Sequence, residues 1–192
     1  MKNLLDRLFA SEKHICPWWL CFTFDNFIRR LFQNPEQILR SYVEEGITVL
    51  DVGPGMGYFT IPLARMVGPK GRVIAADIQP EMLKALRKRA KKAGVDQRIT
   101  THLCKGDSLG LDVKVDFALA FWMVHEVPNP ASFFKEVRSL LTTTGKLLVS
   151  EPIIHVSSRK YAETIAIAIA AGFKVIAEPK IFLSRSAVLA VR

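Results

Sequence analysis

Residues 49–60 read VLDVGPGMGYFT, a short apolar run that carries an acid, Asp51, and passes almost at once into three glycines, Gly53, Gly55 and Gly57. A run of this kind reads as a strand, and glycines at alternate positions permit backbone conformations and close approaches that a Cβ would block. A strand end, a bare loop and the N-terminus of the next helix form a place where a nucleotide can approach the backbone. The loop alone does not say which nucleotide.

Downstream, short apolar runs alternate with amphipathic stretches, the pattern of a parallel sheet covered by helices on both faces. The expected strands are ITVLDV (47–52), GRVIAAD (71–77), ITTHLCKGD (99–107), VDFALAFW (115–122) and KLLVSE (146–151). Pro80 and Pro130 stand where first helical turns begin, Asn129 is a suitable N-cap, and Gly94, Gly145 and Gly172 are expected to close helices. The stretch YAETIAIAIAAG (161–172) is expected to form a buried helix, given its alanines and terminal glycine. In the tail, two apolar runs flank Pro179 with too few residues between them for a parallel crossover, so they are expected to pair antiparallel.

The 192 residues, 49% of them hydrophobic, suffice for one domain (47–192) plus an N-terminal extension (1–46). Three cysteines, Cys16, Cys21 and Cys104, do not make a disulfide framework, and the charged N-terminus lacks the apolar core of a signal peptide. No stretch reads as a membrane span, and the expected location is cytoplasmic. A net charge of +9 favours anionic partners, whether nucleic acid, a membrane surface or an acidic small molecule. Much of the excess lies in LKALRKRAKKAGVDQR (83–98), expected to be a solvated helix face, since no aromatics interleave to stack bases.

Two further acids narrow the ligand. Asp77 ends the second expected strand, where it can accept from both hydroxyls of a ribose, and Asp107 ends the third, placed to accept from an adenine amino group. Three carboxylates would repel a pyrophosphate but suit a cationic amine and a sulfonium, which points to S-adenosylmethionine. A dinucleotide fingerprint, G-x-G-x-x-G, fails because Tyr58 stands where its third glycine belongs.

With these motifs in order, residues 47–192 resemble a class I, Rossmann-like S-adenosylmethionine-dependent methyltransferase of the small-molecule type, similar to the quinone C-methyltransferase group. The resemblance implies an α/β, doubly wound seven-stranded sheet of order 3-2-1-4-5-7-6 with strand 7 antiparallel. It implies that Asp51, Gly53, Gly55 and Gly57 hold the methionine portion, Asp77 the ribose, and Asp107 with Ser108 the adenine edge. Ile78 and Met82 would pack against adenine, or, for Met82, serve equally as core. The product would be S-adenosylhomocysteine.

On the acceptor side, His125 and Glu126 in FWMVHEVPNP follow the fourth strand; His125 either shapes the pocket or acts as general base, and Glu126 is the second catalytic candidate. The N-P-P-Y sequence of amino-methylating enzymes is absent; AFWM (120–123) stands near its place and directs Trp122 toward the acceptor. His155 is also on that side. In the extension, an aromatic cluster that includes Trp18 and Trp19 is expected to form a helical lid over the acceptor, extra core, or a membrane contact. His14, Cys16 and Cys21 do not have a metal-site spacing, and no metal is expected. The expected partner is a small-molecule acceptor; the alternatives are an RNA substrate, or a cofactor-binding protein without transferase activity.

Overall fold

A computed structural model describes residues 27–106 and 108–192. Two short helices come first, α1 (Phe27–Phe32) and α2 (Pro35–Leu39). The Asn34 side chain caps α2 by accepting from the N–H groups of Glu36 and Gln37. The chain then runs β1 (Thr48–Val52), α3 (Thr60–Met66), β2 (Arg72–Asp77), α4 (Pro80–Lys92), β3 (Ile99–Leu103) and β4 (Val115–Phe121). It continues through α5 (Pro130–Leu140), β5 (Leu141–Pro152), α6 (Ser158–Ala170), β6 (Phe173–Ala177) and β7 (Ser184–Val191).

All seven strands join one sheet in the order β3-β2-β1-β4-β5-β7-β6, the order the resemblance implied. The pairs from β3 to β5 are parallel, and β7 runs antiparallel to both β5 and β6. Successive side chains enter two cores. Leu50, Val52, Ile74 and Leu147 face Phe134 and Val137 of α5. Val49, Val73, Phe117 and Leu148 face Leu39 of α2, Leu63 of α3 and Ala90 of α4. Burial on both faces explains why the inner strands carry no polar alternation, and sealing a side chain such as Phe134 contributes about 1.5–3 kcal/mol. The order reverses between β1 and β4, which opens a crevice at the carboxyl ends of these strands.

Several local expectations are corrected. Gly145 closes no helix: α5 ends at Leu140 and leads directly into β5, whose pairing with β4 shifts register between Val115 and Phe117. A Cβ on Gly145 would stand 3.0 Å from the backbone N and O of Thr142, so glycine serves this irregularity rather than a cap. Gly94 and Gly172 do follow helices with positive φ. β3 stops at Leu103, short of residue 107, because Gly106 turns the chain into an isolated bridge between Lys105 and Ser108. β4 stops at Phe121 because Trp122 adopts φ 60°. The stretch from Tyr161 is helical, but only Ala168 of α6 is buried, since α6 leans on α5 and the outer strands β6 and β7.

Candidate active site

The loop after β1 has φ of 64° at Gly53, 53° at Gly55 and 93° at Gly57, a region that side-chain-bearing residues rarely enter. Close approach adds to this at Gly53, where a Cβ would lie 3.0 Å from Cβ of Met123. The N–H of Gly53 donates to the carbonyl of Ala76 at 2.9 Å, tying the loop to the end of β2. Beneath it the Asp51 carboxylate, 2% exposed, accepts from the Thr60 hydroxyl at 2.6 Å. Burial pushes the Asp51 carboxyl up to about 7, against the lowering effect of that hydrogen bond.

Asp77 ends β2 and accepts from the N–H of Gln79 at 2.9 Å, with further backbone bonds from Gly55 and Ile78. A carboxylate has about four acceptor sites, so these bonds anchor it and still leave capacity toward the crevice. Burial raises its pKa to about 6. The crevice holds a cavity of about 190 Å³ whose lining includes Gly53, Gly55, Asp77, Ile78, Met82, Ser108, Trp122 and Glu126. Among the described residues its lining contains carboxylates and apolar groups but neither lysine nor arginine, a donor set suited to a phosphate-free, cationic adenosine ligand. Asp51 and Gly57 lie behind that wall rather than in it. Asp107, Trp18 and Trp19 are outside the described residues, as are His14, Cys16 and Cys21.

Trp122 turns the chain out of β4, its N–H donating to the carbonyl of Ser150 at 2.7 Å and its indole Nε1 to Ser184 Oγ at 2.9 Å. The turn continues into a 3-10 segment (Val124–Glu126) held by Glu151, at the end of β5. Glu151 is 1% exposed; one carboxylate oxygen accepts from the N–H of Val124 at 2.9 Å and the other lies 2.5 Å from His125 Nδ1. Burial pulls the His125 pKa down, but the hydrogen bond and charge of Glu151, helped by Glu126, outweigh it and leave the imidazole above its ordinary value. With Nδ1–H committed to Glu151, the Nε2 of a neutral ring has a free lone pair. That Nε2 lies 4.0 Å from Glu126, a residue of the cavity wall, and the ring faces His155 with centroids 6.3 Å apart.

Glu151 has no role in the sequence reading, although the quoted strand KLLVSE ends on it. Its position repeats a visible signal, an acid at a strand's carboxyl end, as at Asp51 and Asp77. Glu136 of α5 also escapes that reading: its carboxylate accepts from the Ser108 hydroxyl at 3.0 Å and from the N–H groups of Leu109 and Gly110 at 2.9 Å, fixing the loop beside the cavity. Cys104 lines the cavity, and burial lifts its thiol to about 11, which makes it a poor nucleophile. The guanidinium of Arg29 on α1 stacks 4.3 Å over Tyr58 and 4.6 Å over Trp122, which fastens α1 to the site's outer wall.

Residues 43–182 match the family described as a methyltransferase domain. The chain belongs to that family. S-adenosylmethionine is the cofactor of class I methyltransferases, and the crevice fits it through Asp77, the glycine loop and a lining that, among the described residues, has no lysine or arginine. Relatives of this methyltransferase include the ubiquinone/menaquinone biosynthesis C-methyltransferase of Enterobacter sp. (strain 638), 33% identical over 125 residues, covering 63% of this chain and 50% of that protein. The protein of that name from Pasteurella multocida is 31% identical over the same length, covering 47% of itself. The methyltransferase thus spans about half the length of these relatives. A SAM-dependent methyltransferase from Aquifex aeolicus superposes with a TM-score of 0.84 at 25% identity, over 93% of this chain and 100% of that one. Aeropyrum pernix fibrillarin, in complex with natively bound S-adenosyl-L-methionine, shares the fold at a TM-score of 0.62 and 18% identity, over 78% of this chain and 68% of that one.

Proposed function

We propose that this methyltransferase acts on a small hydroxylated aromatic ring, with His125 as general base and Glu151 as the group that orients it. The observation that carries this reading is the His125–Glu151 pair, which leaves the second imidazole nitrogen 4.0 Å from Glu126, a residue of the crevice wall. Relatives named for quinone biosynthesis support an aromatic acceptor. Bound S-adenosylmethionine supplies a methyl group already activated on a sulfonium, so the chain's own contribution is position, dryness and one proton. Asp77 holds the ribose, Gly53 and Gly55 set the methionine end, and Ser108 sets the adenine end. Trp122 and Glu126 shape the wall between cofactor and acceptor.

Nε2 of His125 removes a ring hydroxyl proton, and the phenolate charge spreads onto ring carbon; that carbon would take the methyl group as the sulfonium C–S bond breaks, and loss of its own hydrogen as a proton would restore the aromatic ring. Glu151 stabilises the imidazolium that results. The test is transfer of a labelled methyl group to a panel of phenols, catechols and hydroquinones. His125→Ala should reduce turnover by about 10²–10⁴ and leave cofactor affinity within about twofold. Undiminished turnover in that variant would remove His125 from the chemistry. Glu151→Gln should slow turnover and shift the acidic limb of the pH–rate profile downward, because burial then acts on His125 without its counter-charge.

A further inference from the structure

Among the described residues the large exposed apolar side chains are unevenly placed: apart from Val175 and Ile176 on the edge strand β6, they lie at the carboxyl edge of the sheet, where the crevice opens. Six of them are contiguous. Phe32 of α1 stacks on Phe182 with ring centroids 4.9 Å apart, and the carbonyl of Leu183 accepts from the N–H of Ile153 at 3.0 Å. Leu31 and Ile154 extend the patch at either end, 66% and 74% exposed.

The backbone under this patch is held in an unfavourable form. Leu183 has φ 54°, a left-handed conformation that is strained for a leucine. Trp122 is the other described non-glycine residue with positive φ, and Ser184 joins the two sites by accepting from the Trp122 indole. Gln33, 2% exposed, donates its amide to the carbonyl of Phe182 at 2.6 Å. A buried amide and a strained leucine thus fix Phe182 and Leu183 on the outside, beside a residue that lines the crevice. Such rigid presentation of apolar groups marks an interaction surface.

Charge selects the partner. Arg30 adjoins Leu31, Lys180 lies two residues before Phe182, and Arg159 and Lys160 begin α6 just after the Ile153–Ile154 turn. Arg30 and Arg159 are paired, with Glu36 and Glu163, so attraction to anions at this edge rests on Lys160 and Lys180. We propose that the patch of Leu31, Phe32, Ile153, Ile154, Phe182 and Leu183 docks the protein on an anionic lipid bilayer surface, with the crevice mouth turned toward the lipid. This surface is separate from the cofactor and acceptor contacts, so it stands whatever acceptor is used.

The experiment is co-sedimentation of the full chain with vesicles of phosphatidylglycerol and phosphatidylcholine, and with phosphatidylcholine vesicles alone. Wild type should bind the anionic vesicles, more weakly as salt is raised, and the double variant Ile154→Ser, Phe182→Ser should bind at least about tenfold more weakly. The single variant Ile154→Ser, at the more exposed position, should fall between them. Unchanged cofactor affinity by calorimetry shows that each variant is folded and separates this test from the assignment of the active site. Failure of wild type to bind either vesicle, or equal binding by wild type and double variant, overturns the proposal. So does a wild-type dimer in light scattering that the double substitution dissociates without any vesicle binding, since the patch would then be the seat of a second copy.

Discussion

The Asp77 and Asp51 carboxyls stand near 6 and 7 because each is buried without a cation beside it, so in the cofactor-free protein both take up protons across the neutral range. The sign follows by linkage: a carboxyl raised on folding favours the folded state below its unfolded value near 4, and that contribution is lost as pH rises through 6 to 7. Ribose hydroxyls favour the ionised Asp77 carboxylate on the crevice wall, so binding should lower its value and release a proton. Affinity for S-adenosylmethionine is therefore expected to rise between about pH 5.5 and 7.5, and calorimetry in buffers of different ionisation enthalpy should detect proton release in that window. Affinity flat across it, with no buffer dependence, would mean that Asp77 does not meet the ligand. Asp77→Ala should weaken binding by about 1–3 kcal/mol by leaving ribose hydroxyls unpaired, read from the same titrations. Asp51 was legible because it adjoins the loop in the chain, and Asp77 because it ends a second apolar run of the same kind. Glu151 was not, because its bond to His125 spans 26 residues and exists only once β4 and β5 are neighbours.

The glycine loop is one element with two different demands on it. Gly55 has positive φ and open space around its missing Cβ, whereas Gly53 combines positive φ with Met123 at 3.0 Å. Gly55→Ala should accordingly cost about 1–2 kcal/mol from backbone strain, and Gly53→Ala should add about 1–3 kcal/mol of overpacking. Thermal unfolding should rank Gly53→Ala well below Gly55→Ala. Because Met123 leads into the turn that carries His125, Gly53→Ala should also slow methyl transfer beyond what reduced cofactor affinity explains. Equal melting temperatures for the two variants would show that Met123 yields and that the loop does not brace this turn. The spacing of these glycines announced a ligand loop, but their individual roles depend on a side chain 70 positions away. Gly145 shows the opposite failure: glycine after an amphipathic stretch reads as a helix cap, yet here it relieves a clash inside β5.

At the scale of the molecule, the antiparallel return could be read ahead of the structure because connection length limits which strands can be parallel neighbours, whereas the strand order came from the resemblance. The charge distribution could not, since a basic helix does not reveal which edge of the sheet it points to. The structure sends α4 back from the crevice: Met82, in its first turn, lines the cavity, while Lys92 ends it about 15 Å further along the axis. Arg87 donates to Thr101, Arg89 to the carbonyl of Met56 and Arg98 to that of Ala64, so part of the basic run braces the fold. An RNA substrate would need positive charge continuous with the crevice, and the described residues of the cavity wall include no lysine or arginine. Lys84, Lys88 and Lys91 are exposed and can be reversed without touching these braces. The triple variant Lys84→Glu, Lys88→Glu, Lys91→Glu is expected to keep cofactor affinity and small-molecule turnover within about twofold of wild type and stability within about 1.5 kcal/mol, at about 0.5 kcal/mol for each surface change. If the variant instead loses turnover while cofactor binding persists, with wild type binding RNA in a salt-dependent way, the acceptor is a nucleic acid and the helix reaches it from outside the crevice.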